Sequence, residues 1–159
     1  MEEVIDQKEL VIRQSQQDDL GRCIEILDEY WGGKPGYERE RIRRYISLKH
    51  QEGRLFVATV NFRVAGVMGV RYQFSENVYY VEELTVKEEY RNLNIGSSLL
   101  NYIKNQTAKG HLKGIFLDVS PKNTEAQKFY RNQGFREVGS IEGLRKRSEK
   151  QIIYAWFNE

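Results

Sequence analysis

The chain has 159 residues, enough for one domain with a real hydrophobic core and short for two. It carries 25 basic and 23 acidic residues, and this near balance argues against nucleic acid as a partner. A lone cysteine excludes an intramolecular disulfide, and together with the acidic start and the lack of a long apolar run it predicts a cytoplasmic protein with no membrane partner.

The spacing of apolar residues and turn signals predicts the elements of the first half of the chain. Ser15 or Asp18 is the candidate cap of the first helix, which ends at the glycine-rich segment 31–36. Asn61-Phe62-Arg63 is typical of a tight hairpin turn. In chain order we predict a strand from Leu10 to Arg13, a helix with Leu20, Cys23, Ile24 and Leu27 on its apolar face, a helix from Tyr37 to His50, and strands from Arg54 to Val60, Val64 to Tyr72 and Val78 to Val86.

The second half alternates helices and strands. The stretch from Gly114 to Ser120 is apolar almost throughout, which is typical of a strand covered on both faces. The polar segment from Gly143 to Lys150 is interpreted as a solvated hairpin loop. The other predicted elements are a helix from Ile95 to Lys109 with Gly110 as C-cap, a helix from Asn123 to Gln133 capped by Asn123 and closed by Gly134, and strands from Phe135 to Gly139 and Gln151 to Phe157. This order predicts one α/β domain, residues 1–159, with a mixed sheet and helices on its faces.

A short polar turn from Arg91 to Ser97 joins a predicted strand to a predicted helix. Backbone N–H groups at a helix N-terminus can converge on an anion, and the Arg91 guanidinium adds charge beside them. Gly96 permits close approach of a ligand, and asparagine, here Asn94, is among the few residues that tolerate a positive φ. The segment has neither the P-loop nor the three-glycine dinucleotide spacing. An anion site is therefore predicted, with an ordinary strand-to-helix turn as the alternative.

A second motif, N-x-x-A-x-x-x-Y-x-x-x-G-F, lies on the predicted helix after the apolar strand. In the turn described above, Arg91 and Gly96 match the pattern [RQ]-x-x-G-x-[GA], with Asn94 in place of its first glycine. With both motifs in this order, the chain resembles the GNAT superfamily of N-acetyltransferases, closely from Val78 to Gly139 and elsewhere through the order of elements. The residues of the second motif are Asn123, Ala126, Tyr130, Gly134 and Phe135.

The resemblance implies acetyl-CoA as co-substrate and a mostly antiparallel sheet with helices on both faces. Two central parallel strands, Val81 to Val86 and Ile115 to Ser120, would splay apart and admit the pantetheine arm. The side-chain amide of Asn123 would contact that arm. Backbone groups of Leu84, Thr85 and Val86 would bond the pantetheine amides, and the pyrophosphate would lie on Arg91, Asn92, Leu93, Asn94, Ile95, Gly96 and Ser97.

The resemblance also assigns the candidate catalytic residues. Tyr130 matches the family position whose hydroxyl approaches the thioester sulfur, where it can protonate the departing thiolate; a packing role is the alternative. A base must take a proton from the acceptor ammonium. Glu82 and Glu83 are the candidates, on opposite faces of the strand, and Glu82 is preferred by its distance from Val86. The alternative is that they face solvent or pair with an arginine.

The acceptor pocket implied by the resemblance includes Tyr30, Trp31 and Tyr80, whose rings could hold an amine by cation–π contact or simply pack the core edge. The expected acceptor is a small-molecule amine or a peptide N-terminus, and a homodimer is left open. No metal is expected, because the histidines His50 and His111 are isolated.

The predicted function is an acetyl-CoA-dependent N-acetyltransferase that works by direct attack in a ternary complex, since Cys23 lies outside both motifs. The main alternative is a catalytically silent CoA-binding regulatory module of the same fold. A longer acyl donor and a nucleic-acid-binding α/β domain are weaker alternatives.

Overall fold

A computed structural model describes residues 9–159 of the chain. The predicted helices and strands are all present, with ends that differ by a few residues. Two short 3₁₀ helices, Gln17–Asp19 and Glu88–Tyr90, come before the first α-helix and after the fourth strand. The elements are β1 Leu10–Gln14, α1 Leu20–Trp31, α2 Arg39–Gln51, β2 Leu55–Val60, β3 Arg63–Gln73, β4 Val78–Val86, α3 Ile95–Lys109, β5 Gly114–Val119, α4 Thr124–Asn132, β6 Arg136–Glu142 and β7 Lys150–Phe157.

The strands form a seven-stranded sheet in the order β1-β2-β3-β4-β5-β7-β6. Strands β1 and β2, β2 and β3, β5 and β7, and β6 and β7 pair antiparallel, whereas β4 and β5 are parallel. The predicted mixed, mostly antiparallel sheet is therefore confirmed. The parallel register joins Val78, Tyr79 and Tyr80 to Gly114, Ile115 and Phe116, at the N-terminal ends of both strands, as expected if the strands diverge beyond that point.

The chain packs as two compact units, each with buried apolar side chains of its own. The first unit contains residues 9–69 and Glu83–Leu99, and the second contains Val70–Glu82 and Leu100–Glu159. In the first unit the core lies between α1, α2, β2 and β3 and includes Cys23, Ile26, Leu27, Ile42, Ile46, Leu55 and Val67. In the second unit the most buried side chains include Ile103, Ile115, Leu117 and Tyr154.

Helices cover both faces of strand β3 in the first unit. Gly66 and Gly69 are three residues apart on β3 and so point to opposite faces. A Cβ at Gly66 would lie 3.1 Å from Ile95 Cγ2 in α3, and one at Gly69 would overlap the Tyr45 hydroxyl of α2. Helices α2 and α3 thus lie on opposite faces, which confirms the predicted arrangement.

The predicted hairpin turn is shorter than expected. Asn61 and Phe62 have φ values of 48° and 68°, and Arg63 already belongs to β3 rather than to the turn. Two consecutive left-handed residues are what a two-residue hairpin loop requires, since its twist then matches that of the strands. Phe62 is 89% exposed, so this geometry follows from loop length and not from burial of the ring.

One prediction of helix capping is wrong. The residue that opens the first helical segment is Gln16, not Ser15 or Asp18; its backbone N–H donates to Asp19 Oδ2 at 2.7 Å. The Ser15 hydroxyl instead lies 2.8 Å from His50 Nδ1. Helix α3 ends at Lys109, so Gly110 follows it directly, as predicted for its C-cap, and the next residue, His111, is left-handed with φ 55°.

The lone thiol, Cys23, is fully buried in the core of the first unit, and burial raises its pKa to about 12. This confirms the interpretation of Cys23 as a structural residue. Across residues 9–159, no helix combines the length and apolar character needed to cross a membrane.

Candidate functional site

The turn from residue 91 to 97, called the 91–97 turn below, has the backbone conformation that an anion site needs. Asn94 adopts the left-handed conformation that asparagine tolerates, with a φ of 58°, and Asn92 adopts it too, with φ 67°. Asparagine enters this region at low cost because its short polar side chain can hydrogen-bond locally. Left-handed residues that alternate with other backbone conformations can turn successive N–H groups toward one anion.

Helix α3 begins directly after Asn94. The first intrahelical bond is donated by Ser98 N to Asn94 O at 3.0 Å, so the N–H groups of Ile95 and Gly96 have no acceptor within the helix. A surface cavity of about 180 Å³ lies here, within the first unit. Its lining residues are Val86, Tyr90, Arg91, Asn92, Asn94, Ile95 and Gly96, which include most of the predicted pyrophosphate-binding set.

Arg91 ties the 91–97 turn to the end of β4. Its Nε donates to the carbonyl oxygen of Val86 at 3.4 Å, so the side chain folds back along the strand end. Thr85 is buried, and Leu84 and Val86 are half-buried. The predicted pantetheine-binding strand end and the predicted pyrophosphate-binding turn thus adjoin one another through Arg91.

Glu83 lies with two of the predicted site residues in the first unit. Its Oε1 accepts from Trp31 Nε1 at 3.1 Å and from the hydroxyl of Thr85 at 2.5 Å. The carboxylate is therefore fixed by α1 on one side and by its own strand on the other. A candidate base and a candidate substrate residue are brought together here, although 52 positions separate them in the sequence.

An aromatic cluster at the end of α1 already holds a cation. Trp31 stacks on Tyr37 with ring centroids 4.5 Å apart and meets Tyr30 edge-on at 4.9 Å. Lys34 Nζ lies 4.7 Å from the Trp31 ring and 5.0 Å from the Tyr30 ring. A cation can therefore bind on the faces of these rings, as the sequence suggested. In the structure this cation is the side chain of Lys34 from the same chain.

Glu82 and Tyr80 lie in the second unit, both beside Arg71. The Arg71 guanidinium is 4.8 Å from the Tyr80 ring, and its Nη1 is 3.5 Å from Glu82 Oε2. Pairing with an arginine was the alternative for this glutamate. Since nothing separates the two candidate bases by geometry alone, the choice between Glu82 and Glu83 stays a prediction.

Asp118 is a buried carboxylate beside Tyr80 that the sequence analysis did not single out. Its side chain is only 6% exposed, and its Oδ1 accepts from the Tyr80 hydroxyl at 2.5 Å. Its Oδ2 accepts from Arg145 Nε and Nη2 at 3.2 and 3.1 Å and from Gln151 Nε2 at 3.1 Å. The available signal was a single acidic residue within an apolar strand. Its partners lie 27 to 38 positions away, which no local pattern shows.

The electrostatics of Asp118 reflect these contacts. Burial alone would raise its pKa, but the hydrogen bonds from Tyr80 and Gln151 and the charge of Arg145 outweigh burial and hold the pKa below its usual value. Burial and the bond to Asp118 raise the pKa of Tyr80. The carboxylate is thus ionised and Tyr80 protonated near neutral pH. The loop from Gly143 to Lys150 is exposed, as predicted, but the Arg145 guanidinium within it binds this carboxylate.

The second motif lies on α4, as predicted. The Asn123 side-chain oxygen accepts from Ala126 N at 3.1 Å, which confirms the predicted cap and uses only the carbonyl of that amide. The half-buried Tyr130 ring meets Phe129 and Phe135 edge-on at 5.1 and 5.7 Å. Tyr130 therefore packs at the end of its helix, and its hydroxyl role stays a prediction.

Within residues 9–159, no three His, Cys, Asp or Glu side chains come close enough together to hold a metal ion. The first unit offers a cavity beside Arg91, the carboxylate of Glu83 and aromatic rings that accept a cation, and the second unit carries Glu82 and the phenol of Tyr130. These groups are suited to binding an anion and an amine.

The chain is similar in sequence to known N-acetyltransferases. N-alpha-acetyltransferase 60 of Danio rerio is 31% identical over 97 residues, which are 55% of this chain and 40% of that protein. The chain thus spans less than half of that relative. A solved GNAT-family acetyltransferase of Bacillus cereus has a TM-score of 0.80 at 22% identity, covering 95% of this chain and 99% of its own.

An aminoglycoside 6'-N-acetyltransferase solved with coenzyme A has a TM-score of 0.79 at 15% identity, over 92% of this chain and 96% of its own. At these identities the solved structures show a shared fold. The family match is direct: residues 20–135 match the acetyltransferase (GNAT) family, and this range contains both sequence motifs. Because the match spans well over half of its residues, the chain belongs to the acetyltransferase (GNAT) family.

Proposed function

We propose that the protein transfers the acetyl group of acetyl-CoA to a primary amine by direct attack in a ternary complex. In this reaction an N–C bond forms as the thioester C–S bond breaks, the amine loses a proton and the thiolate gains one. The amine belongs to a small molecule or to a protein N-terminus, the kinds of acceptor named for relatives and structural neighbours of the chain.

The observation that carries the proposal is the 91–97 turn. Left-handed Asn92 and Asn94 and the first residues of α3, which carry backbone N–H donors, line a cavity of about 180 Å³. Such a group of donors at a helix N-terminus fits a phosphate, and Arg91 supplies a charge for a second one. These residues would hold the pyrophosphate of CoA, and the backbone of Leu84, Thr85 and Val86 would hold its pantetheine arm.

The chain's own residues supply proton transfer and orientation. Acetyl-CoA supplies the activated acetyl group as a thioester. Tyr130 would donate its phenolic proton to the departing sulfur. Glu82 or Glu83 would take the proton of the acceptor ammonium. Trp31, fixed by its bond to Glu83, would line the acceptor pocket together with Tyr30.

The proposal is tested by two measurements on the same protein. Binding of CoA is measured by calorimetry, and turnover by the free thiol that acetyl-CoA releases in the presence of a broad panel of amines and short peptides. We expect binding together with turnover on at least one class of amine. Binding without turnover on any amine would identify a silent CoA-binding module, and absence of binding would contradict the proposed role of the 91–97 turn.

A matched pair of substitutions at Asn94 tests the turn itself. Asn94→Gly is expected to leave CoA affinity nearly unchanged, because glycine adopts the same left-handed conformation freely. Asn94→Val is expected to weaken CoA binding about tenfold, because an ordinary side chain pays roughly 1–2 kcal/mol in that conformation. Calorimetric titration with CoA measures both. A large loss in the glycine variant would instead mean that the Asn94 side chain itself contacts the ligand.

A further inference from the structure

Beside the buried Asp118 carboxylate of the second unit lies Gln151, whose side-chain oxygen accepts no hydrogen bond from the described residues. Gln151 is 2% exposed and gives its side-chain N–H to Asp118, while its own Oε1 is buried and has no hydrogen-bond partner among the described residues. Leaving a buried oxygen unpaired is costly. Two adjacent acceptors, one of them ionised, suit a cationic ligand with more than one N–H donor.

The cation that pairs with Asp118 is the guanidinium of Arg145, a surface residue. It lies in the loop between β6 and β7, its side chain is 41% exposed, and both its Nε and Nη2 donate to Asp118 Oδ2. The loop is closed by other contacts, from Gly143 N to Glu149 O at 2.9 Å and from Lys122 to Glu149 at 3.2 Å. The loop therefore has closing contacts that do not involve the Arg145 side chain.

The charges around this carboxylate balance only while Arg145 stays. The neighbouring Arg71–Glu82 pair is neutral as a whole, and Arg145 neutralises Asp118. Withdrawal of Arg145 would leave one uncompensated buried negative charge, which is strongly unfavourable. A single incoming cation restores the balance, and one that also donates to Gln151 Oε1 satisfies an acceptor that Arg145 leaves unpaired.

We propose that Asp118 and Gln151 bind the ammonium group of a primary amine, and that Arg145 occupies this place until the amine displaces it. The identity of this amine as the acetyl acceptor rests on the function proposed above. Arg145 then competes with the amine for the same acceptors. The site binds ammonium groups that carry N–H donors. A quaternary ammonium has the charge but cannot donate to Gln151.

The test uses ethylammonium chloride as the ligand and the side-chain amide resonances of Gln151 as the readout, in nitrogen-15-labelled protein at constant ionic strength. We expect saturable shifts of these resonances in Arg145→Ala at a Kd at least about tenfold lower than in the wild type, because the competing cation is gone. Arg147→Ala removes the same charge from the same loop and should bind as the wild type does. Tetramethylammonium chloride should shift the resonances in none of them.

Equal Kd values in the wild type and Arg145→Ala would overturn the proposal, as would equal shifts with tetramethylammonium. Adding Asp118→Asn to Arg145→Ala should abolish binding; retained binding would contradict the assignment of Asp118. The measurement needs neither CoA nor turnover, so its failure is distinguishable from failure of the proposed function. If an acceptor is found, Arg145→Ala should lower its KM with little change in kcat, while CoA affinity stays constant.

Discussion

Replacing Tyr130 with phenylalanine is expected to lower kcat by about a hundredfold, with little change in CoA affinity. A positioned acid contributes roughly 10²- to 10⁴-fold to a proton-transfer step, and the substitution removes only the hydroxyl. The phenyl ring keeps its edge contacts with Phe129 and Phe135, so α4 should be undisturbed. Turnover is measured by thiol release, and CoA affinity by calorimetry.

Tyr72→Phe is the matched control, because it deletes a hydroxyl that donates to Asn77 Oδ1 at 3.0 Å near the β3–β4 connection. We expect its kcat to equal that of the wild type. If Tyr130→Phe also turned over normally, the phenol would have no part in the mechanism. If CoA affinity fell in parallel with kcat, Tyr130 would be a binding or packing residue instead.

Gly114→Ala is expected to reduce the free energy of unfolding by about 3 kcal/mol, at the upper end of what overpacking usually costs. Gly114 begins the central strand β5 and pairs with Val78 on one side and Phe157 on the other. A Cβ there would overlap the carbonyl oxygen of Trp156 and lie 3.2 Å from the Phe157 Cα. Because these are backbone atoms, no side-chain rotation relieves the clash. Urea unfolding measures the loss.

Gly139→Ala is the control for that experiment. Gly139 lies in the outer strand β6, and a Cβ there would meet no heavy atom within 4 Å. The substitution should be neutral or should stabilise the protein by up to about 1 kcal/mol, because alanine restricts the unfolded chain. Equal losses in both variants would mean that strand propensity, and not the close approach of β7, decides the result.

Sequence reasoning succeeded where the interacting groups are close in the chain. The Asn123 cap bonds a residue three positions away, and the left-handed Asn94 sits directly before the helix it opens. The alternation of apolar residues likewise placed the helices and strands, since those periods are local. The same locality explains the small errors, such as Ser15 and Asp18 as caps, where several neighbouring residues could have served.

The rest of the candidate site depends on strand register, which the sequence does not display. The Trp31–Glu83 bond joins positions 52 apart, and the Asp118–Arg145 pair joins positions 27 apart. The parallel register of Tyr80 with Phe116 is what brings the Tyr80 hydroxyl to Asp118, and a shift of one residue would turn Asp118 to the other face. Arg145 therefore resembled a solvated loop residue until its partner was known.

The burial of Cys23 has a practical consequence for detecting acetyl transfer. Thiol reagents react with the thiolate, and a buried thiol with a pKa of about 12 presents almost none of that form to solvent at neutral pH. Every fast-reacting thiol in an assay of the folded protein must then come from released CoA. One slow additional equivalent per chain would report opening of the α1 core, so a single chromogenic reaction can follow both catalysis and the integrity of the fold.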